Sequence, residues 1–502
     1  MSEPGSAMRT TDPDVVVVGG GSAGFAAAVA AAQAGASSVT ILEKGDEQEA
    51  GGNARFSHTG FRFVHSGIGE ISKFLPHLPR EELDRIRVRP YTPEDYRRDL
   101  ERVTQGRMDP ALAGVLVDGS NAALHWLLEL GITWEAHGPV EIDGLSYYEP
   151  GTILCPQGGG IGQIAHWQRI AASLGINVRY GSRVRALHGN ERAVTGLRVS
   201  GAHGEYDLRP SAVVLASGGF QASAEMRARY LGTNADLMKV RGSRHNTGEV
   251  LSMALQLGAS AAGQWQGAHA TPVDRDAPPT EGSNRANRYS YQYGITVNSS
   301  GLRFFDEGED THSYTYAKTG WTVLQEPGGI AFQLFDQKII GLLNKRYVHA
   351  EPVRADSIAE LAERLGLEPV VLARTVEDFN AAVSQDVPFD PRQLDGRRTM
   401  GLRPDKTNWA QTLDEPPFVA FPVTAGITFT FGGLAVNTAA EVLSTAGHPI
   451  DGLFATGDIL GLFFHNYPSC SGQTRNAVFA RLAGSGAAAL VRERTPLAAR
   501  QI

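Results

Sequence analysis

The sequence predicts an α/β protein organised on a Rossmann-like dinucleotide-binding unit that opens near the N-terminus, is interrupted by an inserted domain and is completed by the C-terminal segment. Three observations carry this. Residues 15–24, VVVVGGGSAG, join a short apolar strand to a G-x-G-x-x-G turn that runs into an alanine-rich helix. A second strand, SVTIL, ends at Glu43, 19 residues beyond Gly24. Far downstream, LFATGD is again an apolar strand that stops at small residues and an acid, Gly457-Asp458.

Each element has a physical reason. Gly19 permits a tight turn, Gly21 lets a pyrophosphate approach the backbone, and Gly24 lets the helix lie close on the strand. The helix N-terminus then faces the phosphate charge, and Glu43 can accept hydrogen bonds from a ribose. The plain alternative for residues 15–32 is buried core or a membrane span, and the glycines at 19–24 argue against a span. After Glu43, GGNARFSHTGF is a loop of small and hydrogen-bonding residues able to pass under a flat ring, or simply a glycine-rich loop.

Residues 79–107 are strongly charged and read as a solvated helical surface, whereas residues 109–131 carry apolar residues at helical spacing between Asp109-Pro110 and Gly131. The second glycine cluster, Gly158–Gly162, has no preceding apolar strand and no acid at ribose distance, so one dinucleotide site is counted. SRVRALHG and AVTGLRVSG read as a hairpin around Asn190, and SAVVLASGGF as a strand ending at Ser217-Gly218-Gly219. The texture changes beyond residue 270. ITVNSSGLRFFDEGED reads as a hairpin with its turn at 298–301, and HSYTY groups His312, Tyr314 and Tyr316, which could be half-buried strand residues. The expected division is therefore 1–270, an inserted domain at 271–424, and 425–502.

At 502 residues the chain is too long for one ordinary core. A net charge of −8 gives no footprint for nucleic acid or an anionic membrane. Two cysteines, Cys155 and Cys470, provide neither a disulfide framework nor the spacing of a metal or haem site, so no metal is expected. The polar, acidic start MSEPGSAMRTTDPD lacks the order of a signal peptide, and a cytoplasmic location without a membrane span is the expectation.

VVVVGGGSAG with Glu43, GGNARFSHTG, AVVLASGGF, NTGE, ITVNSSGLRFFDE and LFATGD stand in the order found in flavoproteins of the fumarate reductase and succinate dehydrogenase family, which this chain resembles from residue 14 to 485. HATP, DEGED, YTYAKTG and HNYP look most like its tricarballylate dehydrogenase branch, and the YP element is also similar to 3-ketosteroid dehydrogenases. The resemblance implies a flavoprotein of the two-dinucleotide-binding-domain type, with non-covalent FAD and an α+β cap domain inserted over the flavin. Gly19, Gly21, Ser22, Ala23 and Gly24 would hold the pyrophosphate, Glu43 and Lys44 the adenosine ribose end, and the Val184 backbone the adenine. Gly51, Gly52, Asn53, Ser57 and His58 would pass beside the pyrophosphate and flavin, and Ser217, Gly218, Gly219, Asn246 and Gly248 would flank the cofactor. Gly457 and Asp458 would meet the ribityl chain, with Ser469, Cys470, Gln473 and Thr474 facing the isoalloxazine.

Departures from the family bear on activity. The proton-donating arginine of fumarate reductases is here Thr311, their histidine before T-M-G-G is Phe429, and their carboxylate-clamping arginine falls near Ser469. Fumarate reduction is therefore not expected. The expected reaction is α,β-dehydrogenation beside a carboxylate or carbonyl, with a hydride to flavin N5 and electrons passed to an iron–sulfur or membrane partner, a quinone or oxygen. An ene-reductase and a non-catalytic flavin subunit are the alternatives. Such chemistry gathers donors and cations at one oxygen. Tyr467 is the expected donor, while His269, Arg285, Arg288, Thr430 and Arg475 are expected at the substrate, a small carboxylate or keto compound. Tyr314 is the expected base, with His312 second, and Arg285 or Arg288 would lower the tyrosine pKa.

Overall fold

The computed structural model describes residues 12–57, 60–283 and 285–494. Strand Val15–Val18 is wholly buried and pairs in parallel with Val39–Leu42 on one side and Ala212–Leu215 on the other. Asn177–Arg179 extends the sheet beyond Val39–Leu42, and Pro449–Ala455 adds in parallel next to Ala212–Leu215. Four β-branched residues suit a strand buried on both faces. The antiparallel strands Arg183–Asn190, Ala193–Gly201 and Gly204–Leu208 continue this sheet, the first two forming the hairpin expected around Asn190. Helix Ser22–Gln33 is buried under the C-terminal helix Ser471–Arg494. The two lie so close that a Cβ at Gly484 would collide with Ala27 O.

The glycine turn has the geometry its spacing requires. Gly19 sits at φ 111°, where a Cβ would lie 2.5 Å from Ala216 O, and a Cβ at Gly24 would collide with Gly19 O. The second glycine cluster has a packing role. Helix Gly159–Ser173 lies on the 3₁₀ segment Gly52–Phe56, and any side chain at Gly160 would strike the carbonyls of Ala54 and Arg55.

A second, seven-stranded sheet is built around the 13-residue strand Phe418–Thr430, which pairs with Lys239–Arg241, Ala268–Asp274, Ile330–Phe335 and Val353–Ala355. Ile295, Leu334, Leu361, Leu372 and Phe379 are among the residues of its separate apolar core. As a proposal for domain division, 271–424 covers most of this sheet, which also takes in Lys239–Arg241 and runs on to Thr430.

Two readings are corrected. HSYTY opens helix His312–Leu324, not a strand, packed on Ala268–Asp274 where Gly320 leaves room for Thr271. The charged stretch is more than solvated surface: helix Pro93–Thr104, started by a Thr92/Asp95 capping box, buries Tyr96, Asp99 and Leu100. Among the described residues one helix, Pro110–Glu129, is long and apolar enough to cross a membrane, and it packs against the C-terminal helix. Asp109 caps it through hydrogen bonds from Ala111 N and Leu112 N.

Candidate active site

A cleft opens at the carboxyl ends of the parallel strands, above the N-terminus of helix Ser22–Gln33. Gly19, Gly21, Ser22 and Ala23 form its floor, Glu43 and Lys44 one end, Gly52 and Asn53 one wall, and Gly457 and Asp458 another. Val184, Ser217, Gly218, Asn246 and Gly248 complete the expected residues that line it. Each Glu43 oxygen accepts a backbone bond, from Gly20 N and Gly45 N, both at 2.7 Å. Lys44 Nζ donates to Thr247 Oγ1 at 2.9 Å and pairs with Glu249 at 3.3 Å. Asn53 Oδ1 accepts from Ser243 N at 2.9 Å while its Nδ2 donates to Thr428 O.

Other expected residues stand apart from this cleft. Gly24 and Gly51 pack behind it, Gly51 at φ 115° against Ile164 and Arg55. Gly219 abuts Thr430 Oγ1, which also accepts from Phe220 N at 3.4 Å, so Thr430 braces the strand end. Ser57 accepts from Gln473 Nε2 at 3.4 Å, Thr474 Oγ1 donates to Arg62 O at 2.6 Å, and Ser469 O accepts from Arg62 Nε at 2.8 Å. Cys470 has φ 71° and its sulfur fills the space over Gly60. His58 lies outside the described residues. Ser182, Arg183, Ser243 and His245 line the cleft without a motif in the sequence to mark them, and Thr247 lines it from within NTGE; their position follows from the hairpin and from the strand after Lys239.

A dinucleotide fits these residues. A Cβ at Gly21 would meet only Gly51 O at 3.7 Å, leaving the backbone open to a phosphate. Buried Thr456 Oγ1 and Gln473 Oε1 have no hydrogen-bond partner.

Where the second sheet meets the first, aromatic side chains converge. Tyr316 Oη and Tyr467 Oη are hydrogen bonded at 2.8 Å, and the His269 ring lies 4.9 Å from the first ring and 5.3 Å from the second. Phe429 and Phe463 close against Tyr467 at 5.3 and 5.4 Å. Burial pushes both tyrosine hydroxyls above their ordinary pKa and drives His269 well below its own, so the tyrosines stay protonated and the imidazole neutral. His269 Nδ1 is buried without a partner. His312 stacks on Tyr289 at 5.9 Å, and burial lowers its pKa too.

Tyr314 stands elsewhere. In a helix, residues two apart point some 200° from one another, so Tyr316 faces Tyr467 while Tyr314 turns to the opposite side. There its hydroxyl donates to Asp99 at 3.0 Å, beneath the guanidinium groups of Arg62 and Arg102. Burial raises its pKa, contrary to the lowering expected for a base. The cations near it are not the expected ones. Arg288 is fully buried against Asp274 at 2.7 Å, with its Nη1 donating to the backbone carbonyls of Arg285 and Asn287. Arg475 is ion-paired with Asp458 and flanked by Phe429 and Phe463, and burial lowers its pKa to about 9. Both of these guanidinium groups already have a carboxylate.

A glycine-turn strand, a ribose-ready acid and a cleft closed by a C-terminal strand define a dinucleotide-binding flavoprotein fold. Residues 14–474 match the FAD binding domain family, and the chain belongs to it, with FAD as its cofactor. It is 31% identical over 397 residues to a probable fumarate reductase of Shewanella frigidimarina, covering 76% of this chain and 61% of that one. A 4-oxocyclohexanecarboxylate 2-dehydrogenase of Sinomonas cyclohexanicum is 30% identical over 318 residues, or 58% of this chain and 54% of that one. The fold matches the open conformation of a flavocytochrome c3 fumarate reductase with a TM-score of 0.72 and 28% identity, over 96% of this chain and 79% of that one. The chain thus spans about three fifths of the length of the first curated relatives it matches.

Proposed function

We propose that this chain catalyses dehydrogenation of a saturated carbon–carbon bond next to a carbonyl, passing electrons to an external acceptor such as a protein partner, a quinone or oxygen. The observation that carries the reading is the pair of buried hydroxyls, Tyr316 and Tyr467, hydrogen bonded at 2.8 Å beside a neutral His269. Loss of a proton α to a carbonyl places negative charge on the carbonyl oxygen, and two protonated donors in a water-poor site stabilise that charge without reorganising. His269 Nδ1, buried without a partner, is the proton acceptor in this reading, and because the same burial disfavours the charged imidazolium the proton passes on from it and does not rest there. Bound FAD supplies the acceptor for the hydride that leaves the β carbon.

Thr311, at the position of the arginine that fumarate reductases use as a proton donor, counts against the reverse reaction on fumarate. The relative that acts on 4-oxocyclohexanecarboxylate favours a keto compound. Anaerobic addition of succinate, tricarballylate and a cyclic ketone, one at a time, to the holoprotein tests the reading. Bleaching of the flavin band by the ketone is expected, and a yellow protein that no carbonyl compound bleaches would overturn it.

A further inference from the structure

The two hydroxyls of the tyrosine pair come from different segments, and their meeting depends on how those segments are joined. Tyr467 belongs to the loop after strand Pro449–Ala455 of the first sheet, and Tyr316 to helix His312–Leu324, which packs on the second. Asn466 ties them together. It is buried; its Oδ1 accepts from Tyr467 N at 2.8 Å, and its Nδ2 donates to the carbonyl of Tyr314. That carbonyl lies within the helix, and its second lone pair can take the amide without breaking the helical ladder. On the other side of Tyr467, Ser469 N donates to Ser313 O at 3.3 Å. The loop therefore grips two consecutive helix carbonyls from residues that flank Tyr467.

The approach to Asn466 is fixed as well. His465 has φ 57°, a conformation uncommon in any residue but glycine, and its N–H donates to Gln264 Oε1 at 2.5 Å. Asn466 N donates to Phe464 O at 2.5 Å. A turn held from both sides aims the carboxamide at the helix.

We propose that Asn466 is a positioning residue: by joining the Tyr467 backbone to the helix that carries Tyr316, it sets the two hydroxyls side by side against one oxyanion of the reacting molecule. This deepens the dehydrogenation reading and rests on it for the purpose of the pair. Aim matters because a misplacement of about 1 Å can cost a preorganised site roughly a hundredfold in rate. The far side of the helix has its own ties, the Arg102–Asp310 ion pair and the Tyr314 hydroxyl on Asp99 at 3.0 Å, and these hold the helix without touching Tyr467. Arg241 adds a cation near the pair. Its Nη1 donates to Thr428 Oγ1 at 2.6 Å, and Thr428 precedes Phe429, which packs on Tyr467. That charge favours an anion equally with or without Asn466, so a difference between variants reads the donors.

The test uses 4-fluorophenol, which cannot be desaturated and whose anion, like an enolate, carries its charge on one oxygen. Its binding to the oxidised holoprotein is titrated with pH and followed by fluorine NMR, which separates phenolate from phenol. The wild type is expected to hold the phenolate at least about tenfold more tightly than the phenol, and Asn466→Ala to reduce that preference to within about twofold while binding the phenol as before. Gln264→Leu, which releases His465 N, should lose part of the preference, so the outcome does not depend on the folding of one variant. Arg102→Met removes a tie across the same seam and should keep the wild-type preference, although both it and Asn466→Ala unfold at lower temperature. Undiminished preference in Asn466→Ala, or an equal loss in Arg102→Met, overturns the assignment. So does a wild type without preference for the phenolate, because no aimed pair then exists. Loss of the preference in Asn466→Ala, in a protein whose flavin no carbonyl compound bleaches, refutes dehydrogenation and leaves the positioning role standing.

Discussion

Replacing Tyr467 with Phe removes one hydroxyl and little else. The ring keeps its contacts with His269, Phe429 and Phe463 at 5.3–5.4 Å, and the lost hydrogen bond to Tyr316 is worth about 1 kcal/mol of stability. The effect on catalysis is larger, because a donor aimed at charge that develops only in the transition state contributes about 3–4 kcal/mol, or roughly 10²–10³ in rate. Rapid mixing of the oxidised holoprotein with substrate under anaerobic conditions isolates that step, read as the rate of flavin bleaching. Tyr467→Phe should bind FAD normally and reduce it at least about a hundredfold more slowly, and Tyr316→Phe should lose a similar factor. Since both hydroxyls serve one oxygen, the double variant should lose less than the product of the two. A Tyr467→Phe protein that is reduced within about threefold of the wild-type rate would refute the role of the pair.

Other outcomes follow from the same geometry. Glu43→Ala removes an acceptor of two backbone bonds at 2.7 Å and the ribose partner, and FAD affinity measured by fluorescence quenching should fall about a hundredfold. Gly160→Ala should force helix Gly159–Ser173 off Gly52–Phe56 and cost about 2 kcal/mol in thermal unfolding, with weaker FAD binding; Gly69→Ala, where nothing lies within 4 Å, should be neutral. His65 is buried and its pKa is lowered from 6.5 to about 4 by that burial. The unfolded chain thus binds the proton more readily, so stability falls as pH drops from 6.5 towards 4, by up to about 3 kcal/mol. His65→Gln should flatten that acid limb in denaturant titrations.

The cofactor half of the molecule was legible because its chemistry is local. A strand, three glycines and an acid within 29 residues dictate a turn, a helix end and a ribose partner, and residues 15–43 fold as that order requires. The substrate half was less so. Tyr467 could be singled out, but its hydroxyl partner could not, since choosing Tyr316 over Tyr314 depends on whether HSYTY is helix or strand. Alternation would put both tyrosines on one face, whereas the helical turn separates them. Arg241 was beyond reach for a related reason: 187 residues part it from Thr428, and only the pairing of Lys239–Arg241 with Phe418–Thr430 brings the two together. Arg288 and Arg475 looked like substrate ligands because a sequence cannot show that Asp274 and Asp458 are already at hand.

Thr428 has two attachments. Its carbonyl accepts from Asn53, which lines the cofactor cleft, and its hydroxyl accepts from Arg241. One residue of a continuous strand is therefore tethered to the wall of the nucleotide cleft on one side and to a guanidinium of the aromatic cluster on the other. Any cofactor contact that steadies Asn53 also steadies Arg241, and linkage makes such an effect reciprocal: whatever factor FAD adds to the affinity for a substrate at the cluster, the substrate must add to the affinity for FAD. The nucleotide cleft and the aromatic cluster meet at a single threonine.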